Sequence, residues 1–223
     1  LIVHVDSPGG TVAGGESLHR ALTRLSAVKP VVAVMDGLAT SAGYMVAIGA
    51  SRVVAQRSTI TGSIGVILQS ADVTGLLDRI GVNMEAIKSS PLKGVPSPFE
   101  PLTEEGREAT KRLVEDMYDM FVEMVVDRRQ LPREKVLALA DGRVFTGRQA
   151  FESGLIDGIG GEREARLWLR SEHDIDDSLP LRDVDPRDPT AALLERLASS
   201  AVKALLSERL SLDGMISVWH PEY

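Results

Sequence analysis

Met35-Asp36-Gly37-Leu38-Ala39-Thr40-Ser41-Ala42-Gly43-Tyr44-Met45-Val46-Ala47 follows directly on the apolar run Val31 to Met35. The pattern predicts a strand over the run, a turn at Asp36-Gly37, and a helix of small residues opening at or just after Ser41. A serine at such a bend is held out from the sheet, with its hydroxyl toward solvent. Beside it lie backbone N–H groups that the first helical turn leaves unbonded, and these can hold an oxyanion. The G-x-S-x-G spacing of a nucleophile elbow is absent. A plainer role fits the same residues: Ser41 caps the helix, and Ala42, Gly43 and Ala47 permit close packing.

Upstream, Leu1 to Val5 is a continuous apolar run, as in a strand buried on both faces of a parallel sheet. Asp6-Ser7-Pro8-Gly9-Gly10 is a turn, Thr11 a helix cap, and Leu18, Ala21, Leu22 and Leu25 one apolar helix face. Strand, helix and strand in this order imply a right-handed crossover and a parallel pair. The turns after the two strands then share one sheet edge, where open α/β sheets place their sites. Gly9-Gly10 and Ser41 fall on that edge.

Downstream, Val53 to Ala55 reads as a short strand, and Thr59 to Ile67 as a turn into another. Asp72 to Gly81 reads as a helix with Leu76, Leu77 and Ile80 inward, and Asn83 to Lys88 as a strand. Ser89 to Pro101 is a loop stiffened by Pro91, Pro96, Pro98 and Pro101, and it carries Lys93. Thr103-Glu104-Glu105 starts a helix running to about Arg129, with Val114, Met117, Phe121 and Met124 as a core-facing stripe. Shorter helices follow Pro132, Gly147 and Gly160-Gly161. Residues 1–170 form the expected main domain. Residues 171–190 turn to Asp, Ser and Pro and read as a linker, and 191–223 as an amphipathic helix and a tail.

The 223 residues are 43% hydrophobic and 26% charged, ordinary for a globular chain of one large domain. A net charge of −7 argues against nucleic acid or an anionic membrane face as a partner. Cysteine is absent, which excludes disulfides and thiol catalysis. His4, His19, His173 and His220 show no metal-ligand spacing, and neither a metal nor a cofactor is expected. The chain opens inside a strand, so an N-terminal part is expected to precede it.

Ser41 needs a base to become a nucleophile. His4 sits in a strand, His19 on a helix, and His173 and His220 in linker and tail, which disfavours a histidine triad. A lysine can serve if its surroundings let it lose the proton. Lys93 lies in a stretch, Ser89 to Phe99, without an acid, and Lys88 is its local rival. The bland reading of either is a solvated surface cation. Ser63, in the turn Thr61-Gly62-Ser63, could hold a deprotonated amine or be only a turn residue. Gly10 and Ala42 offer backbone N–H donors for an oxyanion.

Five segments in order resemble the S49 serine peptidases, the signal peptide peptidase A family. They are Asp6-Ser7-Pro8-Gly9-Gly10, Ser41-Ala42-Gly43-Tyr44, Thr59-Ile60-Thr61-Gly62-Ser63-Ile64-Gly65-Val66, Lys88-Ser89-Ser90-Pro91-Leu92-Lys93, and Asp141-Gly142-Arg143-Val144-Phe145-Thr146-Gly147-Arg148-Gln149-Ala150. The match covers about residues 1 to 170. The resemblance implies a ClpP/crotonase-like α/β fold with a mostly parallel sheet. It implies a Ser/Lys dyad of Ser41 and Lys93, with Ser63 steadying the lysine and Gly10 and Ala42 holding the oxyanion. Where the family often has Gly-Gly-Tyr after the serine, this chain has Ala42-Gly43-Tyr44, which keeps the backbone donor. With Lys93 in this chain, the resemblance is to the short form of the family. It further implies cleaved signal peptides or similar hydrophobic peptides as substrate, and a homo-oligomer. An N-terminal anchor in the bacterial inner membrane and an extracytoplasmic catalytic domain are implied as well. Other readings on this fold are a crotonase-like acyl-CoA enzyme, a phage-capsid type S49 protease and a non-catalytic scaffold.

Overall fold

The computed structural model describes residues 1–182 and 184. The amphipathic helix and tail expected over 191–223 lie outside the described residues. Strand β1 (Ile2–Ser7) leads through the Pro8-Gly9-Gly10 turn into α1 (Val12–Ser26), which Thr11 caps by accepting from the Gly14 N–H. Strand β2 (Val32–Thr40) follows and runs into α2 (Ala42–Ala47). Then come β3 (Arg52–Ala55), β4 (Ile60–Gly62), α3 (Thr74–Arg79), α4 (Glu104–Arg129) and α5 (Arg133–Leu139). β5 (Val144–Thr146), α6 (Gly147–Ser153), β6 (Gly158–Ile159) and α7 (Glu162–His173) complete the described order.

β2 is the centre of a six-stranded, mostly parallel α/β sheet. Its first half pairs in parallel with β1 on one side and β3 on the other, and its second half pairs with β4. β6 adds to β3 in parallel, and β5 closes on β4 antiparallel. Both faces of β2 are therefore covered, and Val31 to Met35 are buried. One face packs on α1, α2, α4 and α5 through Met35, Tyr44, Met45, Phe121, Val122 and Val125. The other packs Val32, Val34 and Val54 on Ala165 and Leu169 of α7.

The structure corrects several expectations. Asp36-Gly37 is not a turn, because β2 continues through it to pair with β4, and Asp6 Oδ1 accepts from the Leu38 N–H at 3.0 Å. β1 is not buried on both faces. Among the described residues it pairs only with β2, and of its residues only Val5 is buried, while His4 is exposed beside Asp36. Residues 64–67 and 83–88 form no strand. Leu76 and Ile80 of the α3 region are exposed rather than inward. α7 reaches His173, into the stretch read as linker, and Arg166 donates onward to the carbonyls of Asp177 and Leu179. Among the described residues no helix is long and apolar enough to cross a membrane.

Polar ties lock the helical layer to α2 and the sheet, among them the following two. Arg129 of α4 donates to both carboxylate oxygens of Asp157, at 3.0 and 2.6 Å, and Asp157 also accepts from the Val53 N–H. His19 of α1 lies with Nδ1 2.8 Å from the Met45 carbonyl, so Nδ1 carries the proton and the neutral ring's Nε2 faces Thr23. Burial is the main force lowering the His19 pKa, with Arg128 adding to it. The Met45 carbonyl and Glu16 oppose the shift.

Asp157→Ala leaves the nearly buried Arg129 guanidinium unpaired, and is expected to cost about 3 kcal/mol in urea unfolding. His19 stays neutral in the fold at pH values where the unfolded chain takes up a proton. Its contribution to stability is therefore present above about pH 6.5 and is lost as pH falls below that value. His19→Gln should flatten the fall in stability between pH 7 and pH 5, measured by urea titration at each pH.

Candidate active site

Strand β2 ends at Thr40 and helix α2 begins at Ala42, so the whole change of direction falls on Ser41. Its backbone takes φ 53° and ψ −121°, a region that L residues rarely adopt. The strain is held from both sides. The Ser41 N–H donates to the Gly62 carbonyl at 2.8 Å, and the Ser41 carbonyl accepts from the Met45 N–H at 2.9 Å. The Ser41 side chain makes no capping hydrogen bond to α2, which removes the plain capping role. Ser41 is 3% exposed, so its hydroxyl does not face open solvent as the bend alone suggests. Neighbouring turns close around it. The N–H groups of Ala42, Gly43 and Tyr44 precede the first intrahelical bond of α2, as at any helix start.

The Gly9-Gly10 turn is fastened to this point. Thr40, also 3% exposed, donates its hydroxyl to the Pro8 carbonyl at 2.8 Å. A Cβ on Gly43 would stand 2.9 Å from the Ser7 carbonyl oxygen, so α2 touches the turn at van der Waals distance and only glycine fits. Gly9 has φ 121°. A Cβ on Gly10 would meet nothing within 4 Å, so the face of Gly10 is open to an approaching group. An apolar groove of about 530 Å³ between β1 and α1 reaches Gly9, Gly10, Ala42 and Gly43. Val3, Leu18 and Leu22 are among its walls.

The Thr61-Gly62-Ser63 turn lies on the other side of Ser41. Gly62 has φ 81° and Ser63 φ 50°, and the Ser63 N–H donates to the Arg143 carbonyl at 2.9 Å. Thr61 donates its hydroxyl to the Ala39 carbonyl at 2.7 Å. Phe145 of β5 packs over Gly62, where a Cβ would come within 2.5 Å of its ring. The Asp141 to Ala150 segment thus buttresses the turn that holds Ser41.

The structure brings together the turns of Ser41, Ala42, Gly10 and Ser63. Lys93 is not in that group. It is exposed on the segment 64–102, and its ammonium forms no hydrogen bond or ion pair among the described residues. Lys88, the rival, is half-buried and paired with Glu100. Much of the same segment exposes apolar side chains, among them Ile67, Ile80, Met84 and Phe99, with Ile87 98% exposed. Sequence reading missed Thr40 and the Lys88–Glu100 pair. A threonine next to the candidate serine was the available signal for the first. The second joins residues twelve apart in an irregular loop, and no pattern announces it.

The buried bend at Ser41 sits at the edge of a mostly parallel α/β sheet, between the Gly9-Gly10 and Gly62-Ser63 turns. The model of Peptidase family S49 matches residues 23–176, and the chain belongs to that family. It is 40% identical over 190 residues to slr0021 of Synechocystis, covering 85% of this chain and 69% of that protein. It is 32% identical over 226 residues to the "Serine protease SPPA, chloroplastic" of Arabidopsis thaliana, covering 96% of this chain and 33% of the other. With "Protease 4" of Haemophilus influenzae it shares 34% identity over 166 residues, 74% of this chain and 27% of that one. This chain therefore spans a third or less of the length of the last two. Among solved structures it is similar to a ClpP1 mutant from Listeria monocytogenes, with a TM-score of 0.47 and 17% identity, covering 74% of this chain and 75% of that one.

Ser41→Gly and Ser41→Ala both remove the hydroxyl, but only glycine removes the Cβ from the strained backbone. Ser41→Gly is expected to be about 1 kcal/mol more stable than Ser41→Ala in urea or thermal unfolding. Equal stability would show that the bend is not strained.

Proposed function

We propose that the chain is the catalytic domain of a serine endopeptidase that cleaves cleaved signal peptides or similar extended hydrophobic peptides at a membrane. The observation that carries this reading is the buried, strained bend at Ser41, clasped between the Gly9-Gly10 turn and the Gly62-Ser63 turn. Ser41 Oγ attacks the scissile carbonyl carbon as the neutral Lys93 amine takes its proton. The N–H groups of Gly10 and Ala42 hold the oxyanion. The amine then passes the proton to the leaving nitrogen, and water releases the acyl group from Ser41. The apolar groove that reaches Gly10 and Ala42 suits an apolar peptide.

Lys93 is preferred to Lys88 because Lys88 is engaged with Glu100. The segment carrying Lys93 also exposes many apolar side chains, which favours its burial against a second copy of the chain. We therefore place the meeting of Lys93 and Ser41 in a homo-oligomer, with Ser63 steadying the amine. A membrane anchor and an extracytoplasmic location belong to the same reading.

Ser41→Ala and Lys93→Ala should each abolish hydrolysis of a fluorogenic apolar peptide, and both should keep the wild-type circular dichroism spectrum. Co-refolding the two inactive variants should restore part of the activity, because mixed assemblies pair an intact Ser41 with an intact Lys93. Activity retained by either single variant would overturn the dyad. Inactive singles with no recovery on mixing would overturn the shared site. No change in rate with added acyl-CoA thioesters is expected, and their turnover would favour the crotonase-like reading.

A further inference from the structure

Two turns have to be held at a fixed gap for the Gly10 and Ala42 N–H groups to act on one oxygen. They belong to different strands and are separated by the whole of α1. A side chain hydrogen bond crosses directly between them: the Thr40 hydroxyl donates to the Pro8 carbonyl at 2.8 Å. Thr40 is the residue before Ser41, and Pro8 is two residues before Gly10. The Thr40 hydroxyl is buried, so water does not replace its partner if the two turns drift apart. The close approach of Gly43 to Ser7 sets a steric limit on how near the turns can come. The Thr40 bond is the attractive counterpart, and it also orients the Pro8 peptide unit from which the Gly9-Gly10 turn departs.

We propose that Thr40 is a positioning residue for the oxyanion site, with the Thr40–Pro8 hydrogen bond fixing the gap between the Gly10 and Ala42 N–H donors. This rests on the reading of Ser41, Gly10 and Ala42 given above. Thr40 does not touch the reacting atoms. Loss of its hydroxyl therefore weakens the hold on the oxyanion, which forms only in the transition state, and leaves ground-state peptide binding largely alone.

The test uses Thr40→Val, which keeps the branched shape, Thr40→Ala and Thr40→Ser. Each is assayed on the same fluorogenic apolar peptide, and Ser41→Ala is run alongside. Val and Ala are expected to lower kcat about tenfold with KM within twofold of wild type, and Ser to restore kcat to within threefold. The inhibition constant of a peptide aldehyde, whose hemiacetal oxygen occupies the oxyanion position, should rise by the same factor as kcat/KM falls. That of the matching peptide alcohol should not change. Full kcat in both Thr40→Val and Thr40→Ala, while Ser41→Ala is inactive, would overturn the role of Thr40 and leave the nucleophile standing. So would a rise in KM at unchanged kcat. If Thr40→Val fails to fold, Thr40→Ala decides on the same criteria. Activity retained by Ser41→Ala would instead overturn the reading beneath it.

Discussion

Ser41 is where a nine-residue strand becomes a six-residue helix without a linking turn. The backbone meets this demand with a positive φ, and hydrogen bonds on either side of it hold it there. Those of the Ser41 peptide groups run to Gly62 and Met45, and another joins Thr40 to Pro8. The cost of such a conformation is on the order of 1–3 kcal/mol, so it persists only where surrounding structure over-determines it. The surrounding structure is the sheet. β1 carries the Gly9-Gly10 turn in on one side of β2, and β4 carries the Gly62-Ser63 turn in on the other.

The rest of the core serves to keep α2 still. Tyr44 is buried, with its hydroxyl donating to the Leu155 carbonyl. Arg128 donates to the carbonyls of Ile48 and Ala50 just past the end of α2, and the Arg129–Asp157 pair fixes α4 to β3 beside it. Small residues make the close approaches possible: Gly15 of α1 faces Ala42 and Met45, and Gly49 faces His19. Rigidity on this side contrasts with the segment 64–102. That segment holds the candidate base, and many of its apolar side chains are exposed. A site assembled from one rigid half and one half completed by a neighbouring copy is the arrangement this contrast supports.

Much of the frame was legible because local and tertiary demands agreed. The apolar run at Val31, the Thr11 cap and the Thr103 cap specify elements that the packing keeps, while of the α4 stripe Phe121 and Met124 reach the core and Val114 and Met117 stay outside it. The common rim of Gly9-Gly10 and Ser41 followed from the parallel pairing that a strand-helix-strand crossover imposes. Failures came where tertiary pairing overrode local chemistry. Asp36-Gly37 is a turn sequence, yet strands on both sides of β2 carry it through as strand. Leu76 and Ile80 have helical spacing toward a core, but they are exposed. The burial of Ser41 was invisible because it depends on turns that lie more than twenty residues away in either direction. For the same reason Thr40 passed unnoticed: its partner is 32 residues distant.

The most direct measurement of the central claim is mass mapping after reaction with a peptidyl fluorophosphonate, which phosphonylates a serine only where a base and an oxyanion site activate it. The account predicts one adduct per chain, on the peptide containing Ser41, formed in step with the loss of peptidase activity. An adduct on another serine that tracks the loss of activity, or an unmodified Ser41 in a protein that has lost its activity, would contradict it.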